Sequence, residues 1–202
     1  MTRPSSFAGS VAHRLLAAFG WKVVVEPPAA PRVVIIFYPH TSNWDFVVGI
    51  LAKRTLAFPV HWAGKDSLFG WPFGALFRRL GGIPVKRGQR ANQVAQLAAE
   101  FEKHERFYLA IAPEGTRRRT EVWRSGFYRL ALAARVPVGL AFIDYPKREI
   151  GIMAYLTLSG DETNDFANIR EAYAGRIGKY PLQQGPIRLQ QAPVASNHRN
   201  TA

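Results

Sequence analysis

The segment Pro39-His40-Thr41-Ser42-Asn43-Trp44-Asp45 places a histidine five positions before an aspartate. An imidazole accepts a proton near neutral pH. A carboxylate bonded to its other ring nitrogen fixes the tautomer and stabilises the imidazolium as it forms. This is the logic of a serine-hydrolase dyad without its serine: the substrate's own hydroxyl would be the nucleophile, and base assistance of this kind contributes roughly 10²–10⁴ in rate. A second segment, Pro113-Glu114-Gly115-Thr116-Arg117, offers a carboxylate, a glycine turn and a cation. Glycine lets backbone N–H groups approach an anion closely. Arg117 suits bidentate contact with a phosphate. Glu114 either accepts a hydrogen bond from a substrate hydroxyl or holds the basic cluster in place, and Thr116 belongs to the same candidate binding set. Lys86-Arg87-Gly88 supplies another cationic turn. Together these residues suit proton abstraction from a hydroxyl on an anionic substrate.

Each segment also has a plainer reading. Ser42-Asn43-Trp44-Asp45 has the form of a helix capping box, a role compatible with catalysis because capping would help fix Asp45. Lys86-Arg87-Gly88 fits a surface hairpin, and Arg118 and Arg119 fit a solvated basic face.

The elements that must position these groups alternate in type. Residues 7–21 have helical apolar spacing, with Phe7, Val11, Leu15, Leu16 and Phe19 recurring, and suit either a helix lying on a membrane or one packed on its own domain. Pro27, Pro28 and Pro31 follow as a linker. Arg32–Tyr38 reads as a buried strand, and 43–56 as a helix. A short strand near 60–63 comes next, then two short helical or loop pieces in 65–80. Gly81-Gly82 precedes a strand near 83–86. Helix 89–104, strand 106–112 and helix 125–135 follow. Strands 136–143 and 149–158 form a hairpin across Tyr145-Pro146-Lys147, and a helix spans 163–180 with Phe166, Ile169, Tyr173 and Ile177 in register. This alternation predicts an α/β fold, a mixed, mostly parallel sheet flanked by helices. Both chemical segments then lie where strands end, the usual place for sites in such sheets.

The chain has 202 residues, which favours one domain with short extensions, and 48% hydrophobic residues, enough for a substantial core. The expected division is an N-terminal amphipathic helix and Pro-rich linker at 1–31, a main domain at 32–185 and a polar tail at 186–202. With no cysteine, disulfides, thiolate metal sites and cysteine nucleophiles are excluded. No metal constellation is visible either: there is no His-Glu-x-x-His and no carboxylate cluster at ligand spacing. No apolar run approaches a membrane span, and no secretory signal is evident. With 27 Lys and Arg against 14 Asp and Glu, the net charge of +13 favours an anionic partner. Phe69, Trp71, Phe73, Leu76 and Phe77 beside Arg78 and Arg79 suit a membrane interface, stacking on single-stranded nucleic acid, or a core segment beside a loop.

The combined motifs resemble the glycerolipid acyltransferase family, which includes bacterial 1-acylglycerol-3-phosphate acyltransferases. The resemblance spans roughly 32–145 in four blocks: His40 to Asp45 as the family's H-x4-D motif; Trp62 to Phe69 running on to Gly82-Ile83-Pro84-Val85-Lys86-Arg87; Pro113 to Arg117; and Val136-Pro137-Val138. It implies acyl transfer from acyl-CoA or acyl-acyl carrier protein to a lipid hydroxyl, with no cofactor and no metal. His40 carries over as general base and Asp45 as its partner; Arg87, Glu114, Gly115 and Arg117 carry over as acceptor-binding positions, beside Lys86 and Thr116. It also implies an apolar tunnel for the acyl chain, its mouth lined by residues 69–77. The sequence departs from the family pattern at Pro39, Lys86, Ala112 and Arg118, and lacks a second proline after Val138. These departures surround the acceptor pocket.

The leading expectation is therefore a peripheral enzyme on the inner face of the cytoplasmic membrane. It would bind anionic lipid and acylate a lysophospholipid such as 1-acylglycerol-3-phosphate. A lyso-ornithine or other aminoacyl lipid, or a specialised-pathway intermediate, is the alternative acceptor. A basic nucleic-acid-binding domain is a minor alternative that leaves the His/Asp pair unexplained, and no nucleic acid partner is expected.

Overall fold

The computed structural model describes residues 7–56, 58–85 and 90–189. In chain order the elements are α1 (Phe7–Ala18), β1 (Lys22–Val25), β2 (Arg32–Tyr38), α2 (Trp44–Thr55), β3 (Val60–Lys65), a 3-10 turn (Asp66–Phe69), α3 (Gly74–Arg79) and β4 (Gly82–Val85). They continue with α4 (Arg90–Lys103), β5 (Phe107–Ile111), α5 (Gly126–Ala134), β6 (Val138–Asp144), β7 (Glu149–Leu156), α6 (Glu162–Ala172) and a 3-10 turn (Pro181–Gln183). The strands form one seven-stranded sheet in the order β1-β7-β6-β2-β5-β3-β4. Strands β2 to β6 run parallel; β7 turns back antiparallel to β6, and β1 pairs parallel with β7.

Strand β2 lies at the centre of this order, which explains its unbroken apolar sequence. Both of its faces are covered, so period-two alternation has no use there. Val34, Ile36 and Tyr38 point to one layer, where they meet Phe101 of α4, Phe127 and Leu130 of α5, and Phe166 and Ile169 of α6. Val33 and Ile35 point to the other, with Tyr108, Ala141 and Ile152. Leu16 of α1 and Val48 and Ala52 of α2 close that second layer against Ile143 and Ile150. Each fully buried Val or Ile contributes roughly 1.5–3 kcal/mol relative to exposure. The result is a three-layer α/β/α fold with the sheet in the middle.

Three expectations need adjustment. The stretch read as helix and linker also carries β1, a half-exposed edge strand too short to stand out in the sequence. It approaches β7 so closely that a Cβ on Gly151 would overlap the Val24 carbonyl. Helix α1 accordingly ends at Ala18, before Trp21. The last helix stops at Ala172 rather than near 180: Tyr173 caps it, and Gly175 follows at φ +74°. Phe166, Ile169 and Tyr173 are buried, but Ile177 lies beyond the helix and is 39% exposed. The expected strand 83–86 is β4 as far as Val85; Lys86 and Arg87 fall outside the described residues, as does most of the expected tail.

Candidate active site

Strand register explains why distant segments meet. Ile36 of β2 pairs with Ile111 of β5, and Tyr38 pairs with Phe142 of β6. The three adjacent parallel strands therefore end together. Just beyond their carboxyl ends lie His40 after β2, Glu114 after β5 and Tyr145 after β6, while α2 brings Asp45 to the same edge.

Asp45 is buried and held at both carboxylate oxygens. Its Oδ2 accepts the Thr41 and Ser42 backbone N–H groups, each at 2.8 Å, and its Oδ1 accepts the Tyr145 hydroxyl at 2.8 Å. Ser42 Oγ accepts the Trp44 N–H at 3.2 Å. The capping box thus forms in a shifted version, with the acid reaching back to two N–H groups and the serine to a nearer one. His40 Nδ1 lies 3.3 Å from Asp45 Oδ2, without the alignment of a hydrogen bond. The His40 ring remains 16% exposed, and its edge packs against Phe37.

Glu114 serves the same loop from the other side. Its Oε2 accepts the His40 backbone N–H at 2.8 Å, whereas Oε1 is buried without a partner. Burial raises its pKa from 4.5 to about 7, partly offset by the His40 and Gly185 backbone N–H groups. Gly115 follows at φ +64°, where side chains are strained and a Cβ would press on the Arg124 guanidinium. The Thr116 hydroxyl accepts the Arg118 N–H at 3.2 Å. Arg117 is exposed, as are Arg118 and Arg119.

Two cavities meet at His40. One, of about 190 Å³, lies beneath α2. Both walls use small residues: Gly49 and Ala52 on the helix, and Ala63, Ala110 and Ala141 on the strands. Ile35, Phe37, Val60 and Ile152 complete an apolar lining, and Lys53 stands beside it, donating to the Leu80 carbonyl at 2.6 Å. Burial lowers the Lys53 pKa to about 8. The other cavity, of about 760 Å³, is a cleft bordered by His40, Gly115, Thr116 and Arg117, with Lys65, Arg124 and Arg129 adding positive charge. Leu68 and Phe77 line this cleft together with Phe46, Trp62 and Phe127. Leu68, Trp71, Phe73 and Leu76 are exposed at 45%, 97%, 61% and 51%.

The sequence reading missed two contributors. One is Tyr145, which lay in an expected hairpin turn and carried no motif. The other is the strap 177–189. In it, the Tyr180 N–H donates to Thr41 Oγ1 at 3.2 Å, Gln184 Nε2 donates to the Tyr38 hydroxyl at 3.1 Å, and the Tyr38 hydroxyl donates to the Gly185 carbonyl at 2.9 Å. Arg119 donates to the Gln184 carbonyl at 2.8 Å, tying the strap to the Glu114 loop as well. Among the described residues, no group of three or more His, Asp and Glu side chains is placed to hold a metal ion.

The sequence matches the profile of the family described as Acyltransferase over residues 24–140, more than half the chain. The chain belongs to the acyltransferase family. The matched span contains His40, Asp45 and the Glu114 loop of this acyltransferase, but neither Tyr145 nor the strap. In structure it is similar to the 1-acyl-sn-glycerophosphate (LPA) acyltransferase PlsC from Thermotoga maritima, with a TM-score of 0.54 and 20% identity over 85% of this chain and 80% of that one. The resemblance confirms the fold expected of a glycerolipid acyltransferase. No curated protein matches it in sequence. Among the described residues no helix is long and apolar enough to cross a membrane.

Proposed function

We propose that this acyltransferase moves a fatty acyl chain from a thioester donor, acyl-CoA or acyl-acyl carrier protein, to the hydroxyl of a lysophospholipid such as 1-acylglycerol-3-phosphate. The observation that carries this reading is the meeting of an apolar cavity and a cationic cleft at His40. Acyl chain and phosphate need opposite environments, and the reacting atoms must lie where the two join.

In this reading the acyl chain enters beneath α2 and the acceptor's phosphate rests against Arg117 and its cationic neighbours. By the family resemblance, Lys86 and Arg87 belong to the same acceptor-binding set. His40 Nε2 takes the proton from the acceptor hydroxyl, whose oxygen attacks the thioester carbonyl. A carbon–oxygen bond forms, the carbon–sulfur bond breaks, and the thiolate leaves and takes up a proton. Asp45 orients the imidazole and balances its positive charge. Glu114 fixes the His40 backbone, with Gly115 and Thr116 shaping the turn that presents Arg117. The chemistry draws on no metal or other cofactor. The exposed Trp71, Phe73 and Leu76 beside Arg78 and Arg79 suit docking on anionic lipid at the inner face of the cytoplasmic membrane. The family departures at Pro39, next to His40, and at Ala112, which lines the cleft, favour, as a second reading, a lyso-ornithine or other aminoacyl acceptor.

The test is mass spectrometry of lipids after incubation with lysophosphatidate and a lyso-lipid panel, using both donor types and His40→Ala in parallel. A new acylated lipid that disappears with His40→Ala is expected, and its mass names the acceptor. Undiminished product from folded His40→Ala protein would remove His40 as the base. No product from any pair would reject the reading.

A further inference from the structure

We propose that Tyr145 is a positioning residue for the His40–Asp45 pair. This inference rests on the functional reading above and extends it to a residue outside the family-matched span.

A carboxylate held at one oxygen alone keeps freedom to turn about its last bond. Asp45 has two backbone N–H groups on Oδ2, the same oxygen that lies 3.3 Å from His40 Nδ1. The Tyr145 hydroxyl donates to Oδ1 at 2.8 Å and so sets the plane of the group. The phenol is itself constrained. Trp21 meets it edge to face with ring centres 5.1 Å apart, and the Tyr145 backbone N–H donates to the Ile177 carbonyl at 3.0 Å. Burial, then the Asp45 carboxylate, pushes the phenol well above its usual pKa, so it stays a donor throughout the range in which an imidazole titrates.

The arrangement has an electrostatic consequence. A hydroxyl donating to Oδ1 draws off part of the carboxylate charge that faces His40. Without it, more charge faces the imidazole, the imidazolium is stabilised, and His40 holds its proton to higher pH. The other titratable groups around the pair are Glu114 after β5, whose carboxylate takes the His40 N–H, Tyr180 on the strap, and Lys53 of α2 on the cavity that His40 and Asp45 line; the cleft adds Lys65, Arg117, Arg124 and Arg129. None of these is altered when Tyr145 becomes Phe, which keeps the ring and its contact with Trp21.

Two readouts on the whole chain test this. The first is the pH titration of the His40 ring protons by NMR, in wild type and Tyr145→Phe. The midpoint is expected to rise in the variant. Identical midpoints would overturn the proposal whether or not the protein transfers acyl groups. The second is kinetic: kcat falls about tenfold with KM little changed, and its acidic limb moves to higher pH. In an Asp45→Asn background the same change has little further effect; an undiminished effect there would show that Tyr145 does not act through Asp45. A shifted titration in a wild-type protein without acyl transfer would remove the functional reading and leave the positioning role intact. If Tyr145→Phe does not fold, Trp21→Leu loosens the same ring, and the titration decides in the same sense.

Discussion

One oxygen of Glu114 accepts the backbone N–H of His40 at 2.8 Å, across 74 positions of sequence. The loops after two neighbouring strands are thus joined by a side chain beyond the end of the sheet ladder. A carboxylate in this role helps set where His40 stands whether or not it ever touches substrate.

That carboxylate should leave a mark on stability. Its pKa is raised from 4.5 to about 7 by burial, so between those values the folded protein keeps a proton that the unfolded chain releases. Its contribution is fully present below about pH 4.5 and is lost as pH rises toward 7. Glu114→Gln abolishes this slope, with a difference between pH 5 and 8 of up to ~3 kcal/mol. Urea unfolding at the two pH values checks it; the same pH dependence in variant and wild type would count against the buried, raised carboxyl.

Asp45→Asn replaces one accepting oxygen with a donor amide facing groups that already donate. The expected outcome is a loss of turnover of roughly 10²-fold or more, together with about 1–3 kcal/mol of stability. Steady-state rates on the acceptor found by mass spectrometry, beside thermal melts, measure the two effects separately. A stable variant with normal turnover would show that the His40–Asp45 approach is incidental.

Gly49 lines the cavity under α2, and a Cβ there meets nothing within 4 Å. Gly49→Ala should therefore stabilise the helix by about 1 kcal/mol. Gly49→Leu reaches into the cavity and should move donor preference toward shorter acyl chains. Competition among donors of graded length decides it; an unchanged length profile would mean that the chain lies elsewhere.

Trp71 is 97% exposed and Phe73 61%, so removing both rings should leave the melting temperature unchanged. Vesicle sedimentation should respond instead, with binding to anionic vesicles falling several-fold and the remainder weakening further with salt. Unaltered vesicle binding would place the membrane contact on another surface.

Much of the fold was legible because periodicity reports burial directly. The apolar run of β2 signalled a buried strand, and Phe166, Ile169 and Tyr173, read as one helical register, are buried together. The ends were less legible. Strand β1 is an edge strand with a half-exposed pattern, which four residues do not distinguish from coil. Helix α6 ends early because a glycine at positive φ turns the chain, although apolar residues continue at helical spacing beyond it. In the site, His40, Asp45 and Glu114 announced themselves by type and order. Tyr145 did not, because its partner lies 100 positions away and only the pairing of β2 with β6 brings them together. Glu114 lies beside His40, and its carboxylate meets the His40 backbone, a contact that no residue spacing encodes.

The strap implies an order of completion. Tyr38 and Thr41 find partners in Gly185 and Tyr180, 147 and 139 positions later in the chain. Translation proceeds from the N-terminus at ~5–20 residues per second, so the His40 loop leaves the ribosome roughly 7–30 s before the segment that braces it. The central strands have all been made by then, whereas the bonds from the strap have yet to form. His40 is thus among the first residues of the candidate site to be synthesised, and its loop is among the last to be fully braced.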